Sequence, residues 1–390
     1  MRKIIAALLV SCFILAGAGC QKAADTSDTT AKAPIKIGAI LSVTGANAPL
    51  GDPEKKVLEM EVDKINKAGG INGAKIELIV EDDESDAAKA VTAVNKLLKT
   101  DKVSAIIGSS GSTPTLAIKP ITAKEKTVLV TLAAGNAITK DDNQWVFRTA
   151  HNETFVIEKA LDYLSENIKG KKLAVLYDAN AYGQGGYDQI KAMAPGKKIT
   201  IVAAEKYDSA ATDLTTQLTN IKAADPDCLI IWGTNPAPAI AVKNMKQLSM
   251  TTPVLGSQGI ANKKFIELAG DASEGIVFPA GLILVPDDVP SDSPQKAAIA
   301  ELVKDYKAKY NGEMPNSFAA HAWDAINILA KAMETAGGDK AKIKTELEKT
   351  KNFAGVDGVF TYSSKNHDGM DTKDLVIIKI EDGKWVLGAE

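Results

Sequence analysis

The 390-residue chain is poor in the side chains from which most catalytic and metal centres are built: it has three cysteines and three histidines. Cys12 and Cys20 fall in the first twenty residues. A body that loses that stretch keeps only Cys228, so no disulfide framework is possible and the core must hold unaided. His151, His321 and His367 are far apart, with no cysteine or carboxylate at metal-ligand spacing, so no metal site is expected. No G-x-S-x-G nucleophile turn occurs. Charge of one sign is missing too. The net charge is −3, with Lys and Asp/Glu interspersed, which excludes the concentrated basic surface that nucleic acid requires. After the first twenty residues no apolar run is long enough to span a bilayer. No catalytic residue and no cofactor is expected.

What is present begins with MRKIIAALLVSCFILAGAGC. Arg2 and Lys3 precede an apolar run from Ile4 to Leu15, the layout of a secretory leader, too short for a comfortable span. Ala16, Gly17, Ala18 and Gly19 before Cys20 resemble the bacterial lipoprotein cleavage box, which implies residues 1–20 as leader and Cys20 as lipidated anchor. Gly17 departs from the box, where Leu is the commonest choice. Cys12 follows a better local match, Leu9-Val10-Ser11, but has too little apolar chain ahead of it. Ordinary cleavage near Ala18, with Cys20 incidental, is the alternative. Residues 21–34 follow, QKAADTSDTTAKAP, without aromatic or large aliphatic side chains; they read as a flexible tether.

From Ile35 the pattern alternates strand and helix. About 355 residues at 45% apolar composition exceed one typical domain and suggest two. Strands are expected at Ile35–Leu41, Lys75–Glu81, Val103–Ile107 and Thr127–Leu132, with helices from Asp52-Pro53, Asp86 and Pro114 between them. The rhythm restarts after Arg148: helix Glu153–Ile168, strand Lys172–Tyr177, helix Gly185–Met193, strand Ile199–Ala204, helix Asp213–Ala223, strand Cys228–Trp232, helix Pro238–Leu248. Repeated strand–helix units imply α/β architecture with parallel sheets in two doubly wound, Rossmann-like lobes. In such sheets ligands sit at the carboxyl ends of the strands, so the loops there are candidate sites.

One such loop reads Gly108-Ser109-Ser110-Gly111-Ser112-Thr113-Pro114, just ahead of a helix. Its hydroxyls and the free N–H groups of the helix start suit an anion, carboxylate as well as phosphate. It is neither the G-x-x-x-x-G-K-[ST] nor the G-x-G-x-x-G pattern, and a capped helix start without a ligand is the plain alternative. The loop Ala133-Ala134-Gly135 leaves backbone groups accessible, or is simple turn chemistry. Tyr182 lies at a loop tip where an aromatic ring could cover a ligand. Gln258 lies in a fourth strand-end loop, and His321 on an apolar helix reads as a packing or pocket-lining residue rather than a base.

These segments, in order, resemble the type I periplasmic solute-binding proteins of the branched-chain amino-acid (Leu/Ile/Val) class. IKIGAILSVTGANAPLG, NKAGGINGAKIELIVEDDESD, IIGSSGSTPTLAIKPI, AVLYDANAYGQG, LGSQGIANKKFIELAGDASEGIVF and FAAHAWDAINILAKAMETAGG carry the resemblance across nearly the whole body. It implies lobes of residues 35–150 plus 282–354 and 151–281 plus 355–390, joined by three hinge crossings. It also implies capture of an amino acid or organic acid for an ABC permease and ATPase in the periplasm or cell envelope, contact with the membrane through the lipid anchor only, and no chemistry. Ser110, Ser112 and Thr113 fall in the implied carboxylate loop, where Ser112 matches the carboxylate-binding serine. Ala133 matches a residue that binds through its main chain, with Ala134 beside it, and Tyr182 matches the closing tyrosine. Two positions depart from the pattern: Gly135 stands where amino-acid binders usually have Thr, and Gln258 where they usually have an acid for the α-ammonium. A neutral partner for a buried ammonium commonly costs several kcal/mol. A ligand without an ammonium therefore stays open, as do compensation by another acid such as Asp178 and a sensor role.

Overall fold

The computed structural model describes residues 32–140 and 144–388. The leader, Cys20 and most of the tether lie outside those residues. The last three tether positions, Lys32 to Pro34, already belong to the first strand, where Lys32 pairs with Ala74.

Strands β1 (Lys32–Leu41), β2 (Ala74–Asp82), β3 (Ala105–Gly108), β4 (Val128–Thr131) and β5 (Val146–Arg148) form one sheet in the order β2-β1-β3-β4-β5. Every pairing in it is parallel. The sequences AIIG and VLVT of β3 and β4 are buried throughout, as fits strands covered by helices on both faces. Each fully buried Ile or Leu side chain there contributes about 1.5–3 kcal/mol.

Helices α1 (Ala48–Lys67), α2 (Ala87–Lys96) and α3 (Ser112–Lys124) connect these strands. Asp86 caps α2 by accepting from the amides of Ala88 and Lys89 at 2.8 and 2.9 Å. α1 starts four residues before the expected Asp52-Pro53. Pro49, not Pro53, fills the first-turn position that suits proline, and Pro53 lies inside the helix.

After α4 (Glu153–Tyr163) the chain builds a second sheet from β6 (Lys172–Asp178), β7 (Thr200–Tyr207), β8 (Cys228–Trp232), β9 (Val254–Gly256) and β10 (Val277–Ala280). These strands are linked by α5 (Ala181–Met193), α6 (Thr215–Ala223), α7 (Ala237–Gln247) and α8 (Lys263–Ala269). Cys228 is buried as a free thiol, pushed by burial up to about 12, so it is inert at neutral pH.

Three helices then return to the first sheet's side: α9 (Lys296–Lys309), α10 (Ser317–Ala336) and α11 (Lys340–Glu348). α10 packs along α1, while Lys64 on α1 meets Asp305 on α9 at 2.6 Å. A short hairpin follows, β11 (Phe353–Ala354) with β12 (Val359–Phe360). The chain ends in β13 (Val376–Glu381) and β14 (Lys384–Leu387), which extend the second sheet to β14-β13-β10-β9-β8-β6-β7. β13 runs antiparallel to β10, so this sheet is mixed rather than purely parallel as expected. The architecture is the expected α/β arrangement of two doubly wound units. The chain passes between their elements three times: from β5 to α4, from β10 to α9 and from α11 to β13.

Candidate ligand-binding site

In each sheet the strand order reverses beside the first strand, between β1 and β3 in one and between β6 and β8 in the other. A crevice opens at the carboxyl ends of the strands at such points. The two crevices face each other across a cavity of about 180 Å³. That is below the ~300–1,000 Å³ of sites for drug-sized ligands and suits a small metabolite. Two hydrogen bonds span it. The Ala181 amide donates to Thr113 Oγ1 at 3.1 Å, and Thr234 Oγ1 donates to Asn47 Oδ1 at 3.1 Å.

The loop after β3 is held from below by buried carboxyls. Ser110 Oγ accepts from the Ser42 amide at 3.0 Å and donates to Glu54, while Ser109 and Ser42 donate to Asp83. Burial pushes Glu54 well above the usual carboxylate range, against the lowering effect of the Ser110 hydroxyl. Ser110 lines the cavity, but its hydroxyl is committed to this scaffold. Ser112 differs: its Oγ accepts from the Gly135 amide at 3.1 Å, which leaves its proton to donate. Ser112 also opens α3, which has no side-chain cap, so the first-turn N–H groups remain for an anion.

The loop after β4 is clamped by Arg148, which is fully buried. Its guanidinium donates to the carbonyls of Ala133 and Gly135, to Thr139 Oγ1 at 2.9 Å and, through Nε, to Asp368 Oδ1 at 2.8 Å. The Ala133 amide donates to Thr131 Oγ1 at 3.1 Å, so both main-chain groups of Ala133 are engaged within the protein. Ala134 lines the cavity; Ala133 and Gly135 do not. Glycine at 135 has a steric reason, since a Cβ there would stand 2.8 Å from Ser112 Oγ.

From the second sheet, Asn180 caps α5 by accepting from the Gly183 amide at 2.9 Å, and Tyr182 follows it into the cavity wall. The Tyr182 ring lies 5.6 Å from that of Trp232, and burial raises its phenol so that it stays neutral. Gln258 lines the cavity, and its Nε2 donates to the His151 carbonyl at 2.9 Å, leaving one N–H and Oε1 for other partners. Asp178 sits behind the lining. It accepts from Ser209 Oγ at 2.6 Å, and burial raises its carboxyl.

Among the described residues, no Asp, Glu, Lys or Arg lines this cavity. The α3 start, Asn47 and Ser85 contribute polar lining, Leu50, Leu132 and Phe318 apolar lining, and the His321 ring lies 5.6 Å from that of Phe318. Sequence reasoning missed Asn47, Ser85, Ser209, Thr234 and Phe318; their common signal is position just past strand ends or at a helix start. It also expected no metal-ligating group. In space, His151 and His321 come together with Asp357, three residues that spacing along the chain keeps apart.

Residues 34–384 match the periplasmic binding protein family, and the chain belongs to it. Among similar proteins, the Leu/Ile/Val-binding protein homolog 3 of Brucella melitensis is 28% identical over 362 residues, 92% of this chain and 94% of the relative. The leucine-, isoleucine-, valine-, threonine-, and alanine-binding protein of Pseudomonas aeruginosa is 29% identical over 349 residues, covering 89% and 87%. An extracellular ligand-binding receptor from Rhodopseudomonas palustris superposes with TM-score 0.86 at 30% identity, over 92% of this chain and all of that one. The branched-chain amino acid transporter substrate binding protein LivJ of Streptococcus pneumoniae, solved with isoleucine, gives 0.81 at 28% identity, over 90% and 97%.

Proposed function

We propose that the chain captures an amino acid of the branched-chain type, or a similar small carboxylate, and hands it to an ABC permease and its ATPase. The observation that carries this reading is the uncapped start of α3 beside Ser112, in a cavity that Leu50, Leu132 and Phe318 also line. A carboxylate meets N–H groups, and an aliphatic side chain meets Leu and Phe. The branched-chain names of the relatives support the ligand class. The closing units on this reading are residues 35–150 plus 282–354 and 151–281 plus 355–390, hinged at the three connections. Ser112, Thr113, Ala134, Tyr182 and Gln258 contact the ligand, and the protein performs no chemistry. It works outside the cytoplasm, tethered through Cys20.

The missing carboxylate favours one second reading, a small acid or amide without an ammonium, although the relatives weigh toward the amino acid. Trp232, packed on Tyr182, is a built-in reporter. Its fluorescence should respond to leucine, isoleucine or valine. A response confined to the deaminated acids selects the second reading, and silence toward both sets refutes capture of this ligand class.

A further inference from the structure

The hinge holds a second group of converging side chains. His151 lies in the connection from β5 to α4, Asp357 in that from α11 to β13, and His321 on α10. One donor atom from each lies within 4.8 Å of the other two. All three residues are buried, at 1%, 0% and 3% exposure. Their hydrogen bonding is incomplete. Neither carboxylate oxygen of Asp357 and neither ring nitrogen of His321 has a hydrogen-bond partner among the described residues. His321 Nε2 stands 3.0 Å from Asp357 Oδ2, a close approach that does not make a hydrogen bond. Buried polar atoms left in this way are expensive, and four at one place point to a missing partner.

We propose that His151, His321 and Asp357 form a binding site for a divalent transition-metal ion, zinc being the best match. Two imidazoles and a carboxylate are the donor set of zinc, nickel and copper(II) sites rather than of calcium or magnesium. Donors about 2.0–2.2 Å from one centre stand roughly 3.3 Å apart, a distance that side-chain rotation reaches from the observed spacing.

The surroundings fit. A ring nitrogen of His151, Nε2, lies 3.1 Å from the Asp357 carbonyl, the outer contact that ligating histidines commonly make. One helical turn beyond His321, Asp324 accepts from the amides of Val356 and Asp357 at 2.7 and 2.9 Å and so fixes the backbone that carries Asp357.

Gly281, in the connection from β10 to α9, leaves the gap open. A Cβ there would stand 2.6 Å from Asp357 Oδ1 and 3.4 Å from His151 Cε1. All three connections thus meet at this point. Three protein donors leave a fourth position on the ion, and His321 also lines the ligand cavity, so ion and captured ligand are neighbours. The site needs no assumption about which ligand the cavity takes.

The test uses tag-free, full-length protein stripped with a chelator and titrated with cobalt(II) alone, followed by visible absorption. Zinc(II) is then added with thermal melting as the readout. The native chain should bind one cobalt ion with the absorption of a histidine-ligated centre and should melt higher with zinc. His321→Gln and Gly281→Ala should each weaken binding about a hundredfold or more, while His367→Gln, at the histidine outside the cluster, should bind as the native chain does. If Gly281→Ala does not fold by circular dichroism, His321→Gln decides alone. No saturable cobalt binding by the native chain, or binding unchanged by these substitutions, overturns the proposal and leaves a buried His–Asp pair.

Discussion

Glu153 opens α4 and is 1% exposed. One carboxylate oxygen accepts from the Asn136 amide at 2.7 Å; the other has no hydrogen-bond partner among the described residues. Burial pushes its carboxyl from an ordinary 4.5 up to about 7, partly offset by the Asn136 amide and the charge of Arg148. In the unfolded chain the same group titrates near 4.3. Between those values the folded chain holds the extra proton, so this group's contribution to stability falls as pH rises and is gone above the folded pKa. The gap corresponds to about 3.5 kcal/mol in full, of which roughly 2.5 kcal/mol falls between pH 5 and pH 8.

Glu153→Gln keeps an oxygen for the Asn136 amide and cannot ionise. Its stability relative to the native chain should therefore increase with pH. With about 360 ordered residues at ~2.1 cal/mol/K each, the entropy of unfolding converts that gain to about 3 °C in Tm. Melting both proteins at pH 5 and pH 8 and comparing differences cancels every group they share. A Tm difference that does not change between the two pH values refutes the assignment of a raised pKa to Glu153.

Ser112→Ala removes a hydroxyl proton at the start of α3 that is left for a ligand carboxylate. A hydrogen bond to a charged group is worth about 1.5–3 kcal/mol, so calorimetry should show affinity lower by roughly ten- to a hundredfold, and Tm should fall by a few degrees because the buried Gly135 amide loses its acceptor. Gln258→Glu sets a carboxylate against the His151 carbonyl in place of an amide donor. It should lower the ligand-free Tm while raising the preference for a branched-chain amino acid over its deaminated analogue; an unchanged preference would place the ammonium elsewhere.

Much of the fold could be read from the order of apolar runs and helical periodicity. Cys228–Trp232 is a strand with the expected ends, and Asp86 caps the helix that it was expected to begin. The C-terminal hairpin escaped, because β13 and β14 join a sheet whose other strands lie far back in the chain. The loops that line the cavity were legible as strand ends. What each atom does there was not. Whether Ser110 or Ser112 keeps a free proton depends on Glu54 and Gly135, and whether the Ala133 main chain is available depends on Arg148. None of these contacts has a signature in local sequence. The His151–His321–Asp357 group was hidden for the same reason, being assembled by chain connections rather than by spacing.

Among the described residues the cavity is lined by no Asp, Glu, Lys or Arg, and the bonds across it join neutral groups. Long-range attraction therefore does little to gather ligand, and dissolved salt has little to screen. Arrival is a matter of diffusion, and retention a matter of fit. A trap built this way keeps its grip in dilute and in saline surroundings alike, an advantage for a protein whose medium is set by the environment and not by the cell.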